Sequence, residues 1–153
     1  MTEPKQERMT EEQRARLLAE LEELEGPRRA AAIQAIKTAR EFGDLSENFE
    51  YHAAKNEQGL LERRIHILQE RLRNAVVVEN TGGGKVSVGS VVEIEDEHGD
   101  RMQLEVSSLG GSGAVSPDSP LGRALMGARE GETVDVEAPR GAWRARIVAV
   151  RAA

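Results

Sequence analysis

Two stretches of helical periodicity, separated by a break of a few residues, constrain this chain more than any other feature. Leu17, Leu21 and Leu24, then Ala32, Ile36 and Ala39, recur by threes and fours, and after the break Leu61, Ile65, Leu68, Leu72 and Ala75 do the same. Glu and Arg fill the outer positions, as beside a coiled-coil seam. The break, Phe42-Gly43-Asp44-Leu45-Ser46, is short enough that the helices must fold back on each other, so residues 1–78 are expected to form a long antiparallel helical hairpin. With roughly 30 residues per arm and about 1.5 Å per residue, the hairpin would reach about 45 Å. Thr10 and Gln13 have capping-box spacing at the start of the first helix, and Gly26-Pro27 predicts a kink or a local loosening within it.

The period changes at residues 79–84, where Asn80-Thr81-Gly82-Gly83-Gly84 reads as a linker. Beyond it, alternation predicts short strands around Val86 and Val88, Val91 to Ile94, Met102 to Val106, Thr133 to Val136 and Trp143 to Val150. One helix interrupts them, with Ser119 as N-cap, Pro120 at the first helical position and Gly127 as the stop. The expected fold class is therefore α+β: a coiled-coil hairpin, then a small, mostly antiparallel sheet over residues 85–153 with one short helix.

Composition narrows the function. The 153 residues include no Cys, which removes disulfides, thiolate metal sites and cysteine nucleophiles. A net charge of -6 argues against a protein that wraps nucleic acid, since that affinity comes from neutralising phosphates. No run of about 18 apolar residues occurs and the first residues are charged, so a protein of the cytoplasm with no signal peptide and no membrane partner is expected. His52, His66 and His98 lack metal-ligand spacing, the Gly-rich segment does not lead into a phosphate-binding helix, and Ser46 has no readable His/acid partners. No self-contained enzyme site is visible. Of four aromatics, three (Phe42, Phe49 and Tyr51) crowd around the break, which asks for a reason.

That segment reads Gly43-Asp44-Leu45-Ser46-Glu47-Asn48-Phe49-Glu50-Tyr51-His52-Ala53-Ala54-Lys55, and farther on the chain has Asp118-Ser119-Pro120-Leu121-Gly122-Arg123-Ala124-Leu125-Met126-Gly127 followed by Gly131-Glu132. Both runs, in this order, strongly resemble the bacterial transcript cleavage factors, the Gre family, over nearly the whole chain. The resemblance implies an FKBP-like fold for residues 85–153. It also implies that the hairpin enters the secondary channel of RNA polymerase. There Asp44 and Glu47 would help hold a second Mg²⁺, shared with the polymerase and not bound by the free protein, for hydrolysis of backtracked RNA. Arg40, Asn48, Tyr51 and Lys55 would then lie near the nascent RNA 3′ end, and Ser119, Pro120, Leu121 and Arg123 would dock on the channel rim. The factor, expected as a monomer, would be no enzyme itself but would stimulate the polymerase's own cleavage.

The same residues have plainer readings. Asp44-Leu45-Ser46-Glu47 is also a capping box, and Asp44 and Glu47, three apart, suit the positive end of a helix as well as a hard cation. Phe49 is expected to close the hydrophobic seam against Phe42, while Arg28, Arg29, Arg63 and Arg64 read as outer-face charges. Two departures from the family's pattern stand out. Pro27 precedes Arg28-Arg29 instead of following an Arg, and residues 107–116 form a shortened, neutral, Gly/Ser-rich connection that bears on docking affinity. The leading function is transcript cleavage and elongation. The alternative is a Gre-like protein that occupies the channel and modulates the polymerase without cleavage, and a generic coiled-coil adaptor is a third reading that would not account for Ser119-Pro120.

Overall fold

The computed structural model describes residues 6–44 and 48–152 and divides into two compact units, one of residues 15–74 and one of the residues before 15 together with those from 75 onward. The first helix runs as α1 (Glu11–Glu23), a π-helical turn (Leu24–Arg28) and α2 (Arg29–Arg40); the second arm is α3 (Phe49–Arg73). Leu17, Leu21, Ile36, Ala39, Ile65 and Leu68 are buried, so the expected seam is the seam that forms. Each buried Leu or Ile stabilises by about 2 kcal/mol. The loosening expected at Gly26-Pro27 takes the form of the π-helical turn, in which the Arg29 N–H reaches the Leu24 carbonyl, five residues back. Pro27 has no N–H to give and its ring crowds the preceding turn, and one wider turn absorbs both defects without breaking the helix.

Two bidentate ion pairs lace the arms together. Arg29 donates to Glu62 at 2.9 and 2.8 Å, and Arg64 to Glu20 at 2.9 and 3.2 Å. Of the four arginines read as outer-face charges, Arg29 and Arg64 instead pair across the arms.

In the other unit, the capping box expected at Thr10 is present in both directions: Thr10 N–H donates to Gln13 Oε1 at 3.0 Å and Gln13 N–H to Thr10 Oγ1 at 3.2 Å. The Gln13 amide is itself buried and donates to the Val106 carbonyl at 3.0 Å. Two short strands were not foreseen. β1 (Glu7–Met9) pairs in parallel with β2 (Ala75–Val77), so Ala75 begins a strand instead of ending the helical seam. The β-branched run Val76-Val77-Val78 favours extension once Asn74 has ended α3.

β3 (Ser90–Glu95), β4 (Arg101–Val106), β5 (Ala114–Val115), β6 (Thr133–Ala138) and β7 (Gly141–Ala152) form a sheet of order β5-β4-β3-β7-β6. It is mixed and not wholly antiparallel, because residues 107–113 turn back and bring β5 parallel to β4. Gly110, Gly111 and Gly113, all at positive φ, make that short reversal possible. The strand expected at Val86 and Val88 does not form: both side chains are buried, while Lys85 makes only an isolated bridge to Arg129. Val92, Ile94, Val106, Leu125, Val136, Ala145 and Ile147 form the core, and α4 (Pro120–Leu125) lies against it through Leu125.

Candidate functional site

The hairpin tip is built by Asn48. Its backbone is extended (φ -87°, ψ 99°), its Oδ1 accepts the Tyr51 N–H at 3.0 Å, and its Nδ2 donates to the Ala39 carbonyl at 2.6 Å. One amide therefore starts α3 and ties it to the end of α2. On the other side, α2 tightens as it ends, with Phe42 N–H donating to Ala39 and Gly43 N–H to Arg40 carbonyls, and Gly43 leaves at φ +105°. Only glycine takes that conformation cheaply, and space is not the constraint, since an added Cβ at Gly43 would meet nothing within 4 Å.

This arrangement corrects the N-cap of α3 from Asp44 to Asn48, while the other residues of the capping box read over 44–47 lie outside those described. The cap of α3 is Asn48, four residues later, and Asp44 stands exposed in the turn beyond Gly43. Both positions satisfy the short polar pattern of an N-cap, and Asn48 prevails because it alone can also donate to Ala39. Glu47, the other acidic candidate, lies outside the described residues. Phe42 and Phe49 correct a second expectation: they are 69% and 87% exposed and close no seam. The seam's last buried residue on α2 is Ala39, where Asn48 crosses over, so both rings lie past the point at which the helices pack.

The four residues expected near RNA gather at this end. The Arg40 guanidinium lies over the Tyr51 ring at 5.9 Å from its centre, a cation–π contact that spacing alone did not show, and His52 meets the same ring edge-on at 5.6 Å. Arg40 and Lys55 also line a groove of about 500 Å³ with Lys37, Gln58, Ile33 and Ile36. Lys37 and Ile33 were missed in the sequence because each reads as an ordinary position on an amphipathic helix.

The second candidate surface is the start of α4. Ser119 Oγ accepts the Gly122 N–H at 3.0 Å and donates to the Ser116 carbonyl at 2.7 Å, with Pro120 at the first helical position. Pro120 and Arg123 are exposed, Ser119 is half-buried, and Leu121 is half-buried against the core. Gly122 is buried, and a Cβ there would sit 1.8 Å from the Ser116 carbonyl oxygen, so the turn requires the missing side chain.

Among the described residues no helix is long and apolar enough to cross a membrane, and no three His, Asp or Glu side chains come together as a metal site. The family model for the N-terminal part of transcription elongation factors matches residues 7–77, and that for the C-terminal part of GreA/GreB matches residues 80–152. The transcription elongation factor GreA of Streptococcus sanguinis is 40% identical over 149 residues, covering 93% of either chain. That of Bacillus cereus is 40% identical over 153 residues, covering 94% of this chain and 95% of its own. A solved structure of the transcription factor Gfh1 is 31% identical, covers 97% of this chain and 99% of its own, and superposes with a TM-score of 0.50. With the two family models together covering residues 7–77 and 80–152, this protein belongs to the GreA/GreB family of transcription elongation factors.

Proposed function

We propose that this chain is an accessory factor that places its hairpin tip in the secondary channel of RNA polymerase and stimulates the polymerase's own cleavage of backtracked nascent RNA, so rescuing arrested complexes. The observation that supports this most is the position of Asp44: an exposed carboxylate in the turn at the hairpin's end, with the capping of α3 assigned to Asn48.

The donor set suits a shared ion. Asp44 and Glu47 offer hard anionic oxygens, which Mg²⁺ prefers, and two such ligands are too few for a private site but enough to complete a partner's. When bound, the metal would polarise the phosphate and lower the pKa of the attacking water. The chain's own residues have separate duties. Asn48 fixes where α3 begins, Tyr51 holds the Arg40 guanidinium near the RNA 3′ end, and Lys55 adds positive charge. The α4 start, through Pro120 and Arg123, meets the channel rim, with Ser119 and Leu121 holding that turn in place.

A second reading has the likeness to Gfh1 behind it: a Gre-like protein that occupies the channel and modulates the polymerase without cleavage. One experiment separates the two. Wild type, Asp44→Ala and Glu47→Ala are added to a purified backtracked elongation complex with Mg²⁺, and transcript length, competition for polymerase and melting are all measured. The expected outcome is a shortened transcript with wild type, nearly abolished shortening with either variant, and unchanged competition and melting. A wild type that competes without shortening the transcript selects the second reading, and a destabilised but active Asp44→Ala removes the ligand role.

A further inference from the structure

The two arms of the hairpin keep different steps. On α3, alternating steps of three and four from Tyr51 land on Ala54, Gln58, Leu61, Ile65 and Leu68, every one buried or half-buried. The first arm begins the same way, with Leu17, Leu21 and Leu24, but the alternation would then continue to Arg28, Ala31, Ala35 and Thr38, and all four are exposed. The residues turned from solvent are Arg29, Ala32, Ile36 and Ala39, each one position later. The first arm therefore takes a single step of five, from Leu24 to Arg29, and the Arg29 N–H to Leu24 carbonyl bond that makes the turn π-helical spans that same step. No residue of the turn is fully buried, so it is not wedged open by packing. Pro27 explains a weakened backbone bond at this place, but not the change of face that follows it. Had the α-helix simply run on, at about 100° per residue, Ala35 and Thr38 would meet α3 while Ile36 and Ala39 turned away.

The tip depends on that face. The Ala39 carbonyl accepts the Asn48 bond that ties α3 to α2, and Arg40, the next residue, lies over the Tyr51 ring. The same shift turns Arg29, and not Arg28, toward Glu62. We propose that the π-helical turn Leu24–Arg28 is the register element of the tip: it takes up one residue that the first arm has in excess of α3's repeat, and through Ala39 and Arg40 it positions the residues that act at the hairpin's end. These are positioning residues, since none of them reaches the tip itself. The inference rests on the reading that the tip works inside the polymerase, and it assigns the tip's setting to the length of the first arm and not to the identity of Gly26 or Pro27.

Changes of length test this without touching the tip. Inserting an alanine after Gly26 adds a second excess residue. Deleting Gly26 removes the excess and lets α1 run into α2 as one α-helix with the same residues facing α3. Moving Ala31 to follow Gly26 keeps the composition, restores the length ahead of Ala32 and again leaves an arginine at position 29. The full chain has no Cys, so spin labels on Gln34→Cys and Glu57→Cys report the setting of α2 against α3. The insertion is expected to shift the label distance and to lower cleavage at saturating factor by about 100-fold, with competition for polymerase unchanged. The deletion, the transposition and Pro27→Ala should keep both distance and rate close to wild type. An insertion that leaves distance and rate unaltered overturns the proposal, as does a transposition that fails to rescue it, which decides the matter even where the insertion melts the hairpin. So does a Pro27→Ala variant that behaves like the insertion, which would make proline the cause, or a deletion that keeps the distance and loses cleavage, which would make the turn's own flexibility the active property. A wild type that stimulates no cleavage strikes the proposed function and leaves the label distances to decide the register.

Discussion

At the hairpin tip and at the start of α4 the chain uses one device twice. Asn48 and Ser119 each accept the backbone N–H three residues ahead, and each donates back to a carbonyl of the preceding segment, Ala39 or Ser116. The surroundings are opposite. Around Asn48 the described residues pack little: Gly43 is needed for its φ alone, and Phe42 and Phe49 are exposed. Around Ser119 the helix is pressed onto backbone at Gly122 and buries Leu125 completely. On the proposed function, the turn that would reach into the polymerase carries little packing among the described residues, whereas the turn that carries Pro120 and Arg123 is part of a core. The consequence is that change at the tip should register in activity, and change at α4 in folding.

The sharpest way to break this comparison is Gly122→Ala. Its Cβ would fall 1.8 Å from a backbone oxygen that cannot rotate away, so α4 must lift from residues 116–117. Overpacking of this kind costs roughly 3 kcal/mol. The expected result is a large fall in the urea midpoint, while Gly43→Ala, strained in φ but not crowded, should cost much less. Equal losses for the two substitutions would show that the tip is packed after all.

Next in size come the caps themselves. Ser119→Ala and Asn48→Ala each remove an N-cap acceptor, and each is expected to cost about 1 kcal/mol. They should part in function: Asn48→Ala lets the start of α3 drift from Ala39 and should lower transcript cleavage, whereas Ser119→Ala should act only through stability. Asn48→Asp sharpens the point, because it keeps the acceptor for Tyr51 N–H and loses the donor to Ala39. If cleavage follows the donor, the crossing bond positions the tip; if Asn48→Asp is fully active, capping alone suffices.

The same contrast explains what the sequence made legible. The seam residues announce themselves because burial along a helix must repeat every three or four positions, and Leu17, Leu21, Ile65 and Leu68 do. The α4 turn is equally plain, as Ser, Pro and Gly each have one strong local use at their positions. The tip was legible only as a motif. Asp44 and Asn48 are both good N-caps, and what chose between them is a bond to Ala39 nine residues away, which no local pattern carries. β1 was invisible for the same reason: three residues with no alternation acquire their structure from Ala75–Val77, far along the chain. Phe42 and Phe49 were misjudged because apolar side chains are ordinarily assigned to the nearest core, and here the core ends before it reaches them.

The smallest expected effect lies midway along the hairpin, where packing and charge meet. A hydrogen bond from Arg29 holds the Glu62 carboxyl below the usual carboxylate range, and the Glu62 carboxylate raises the Arg29 guanidinium in turn, each opposed by some desolvation. A depressed carboxyl contributes stability that is fully present above its unfolded value and is lost as pH falls through its lowered folded value. The loss for this pair therefore falls on the acid side of the ordinary Glu range, and neutral or alkaline pH leaves it intact. Both groups are well exposed, so screening keeps the effect small and high salt should erase it. Urea midpoints of wild type and Arg29→Gln, taken at neutral pH and at about pH 3, should differ more at neutral pH than in acid. A difference as large in acid as at neutral pH would mean that Arg29 stabilises the hairpin by packing its alkyl stem along the seam and not through Glu62.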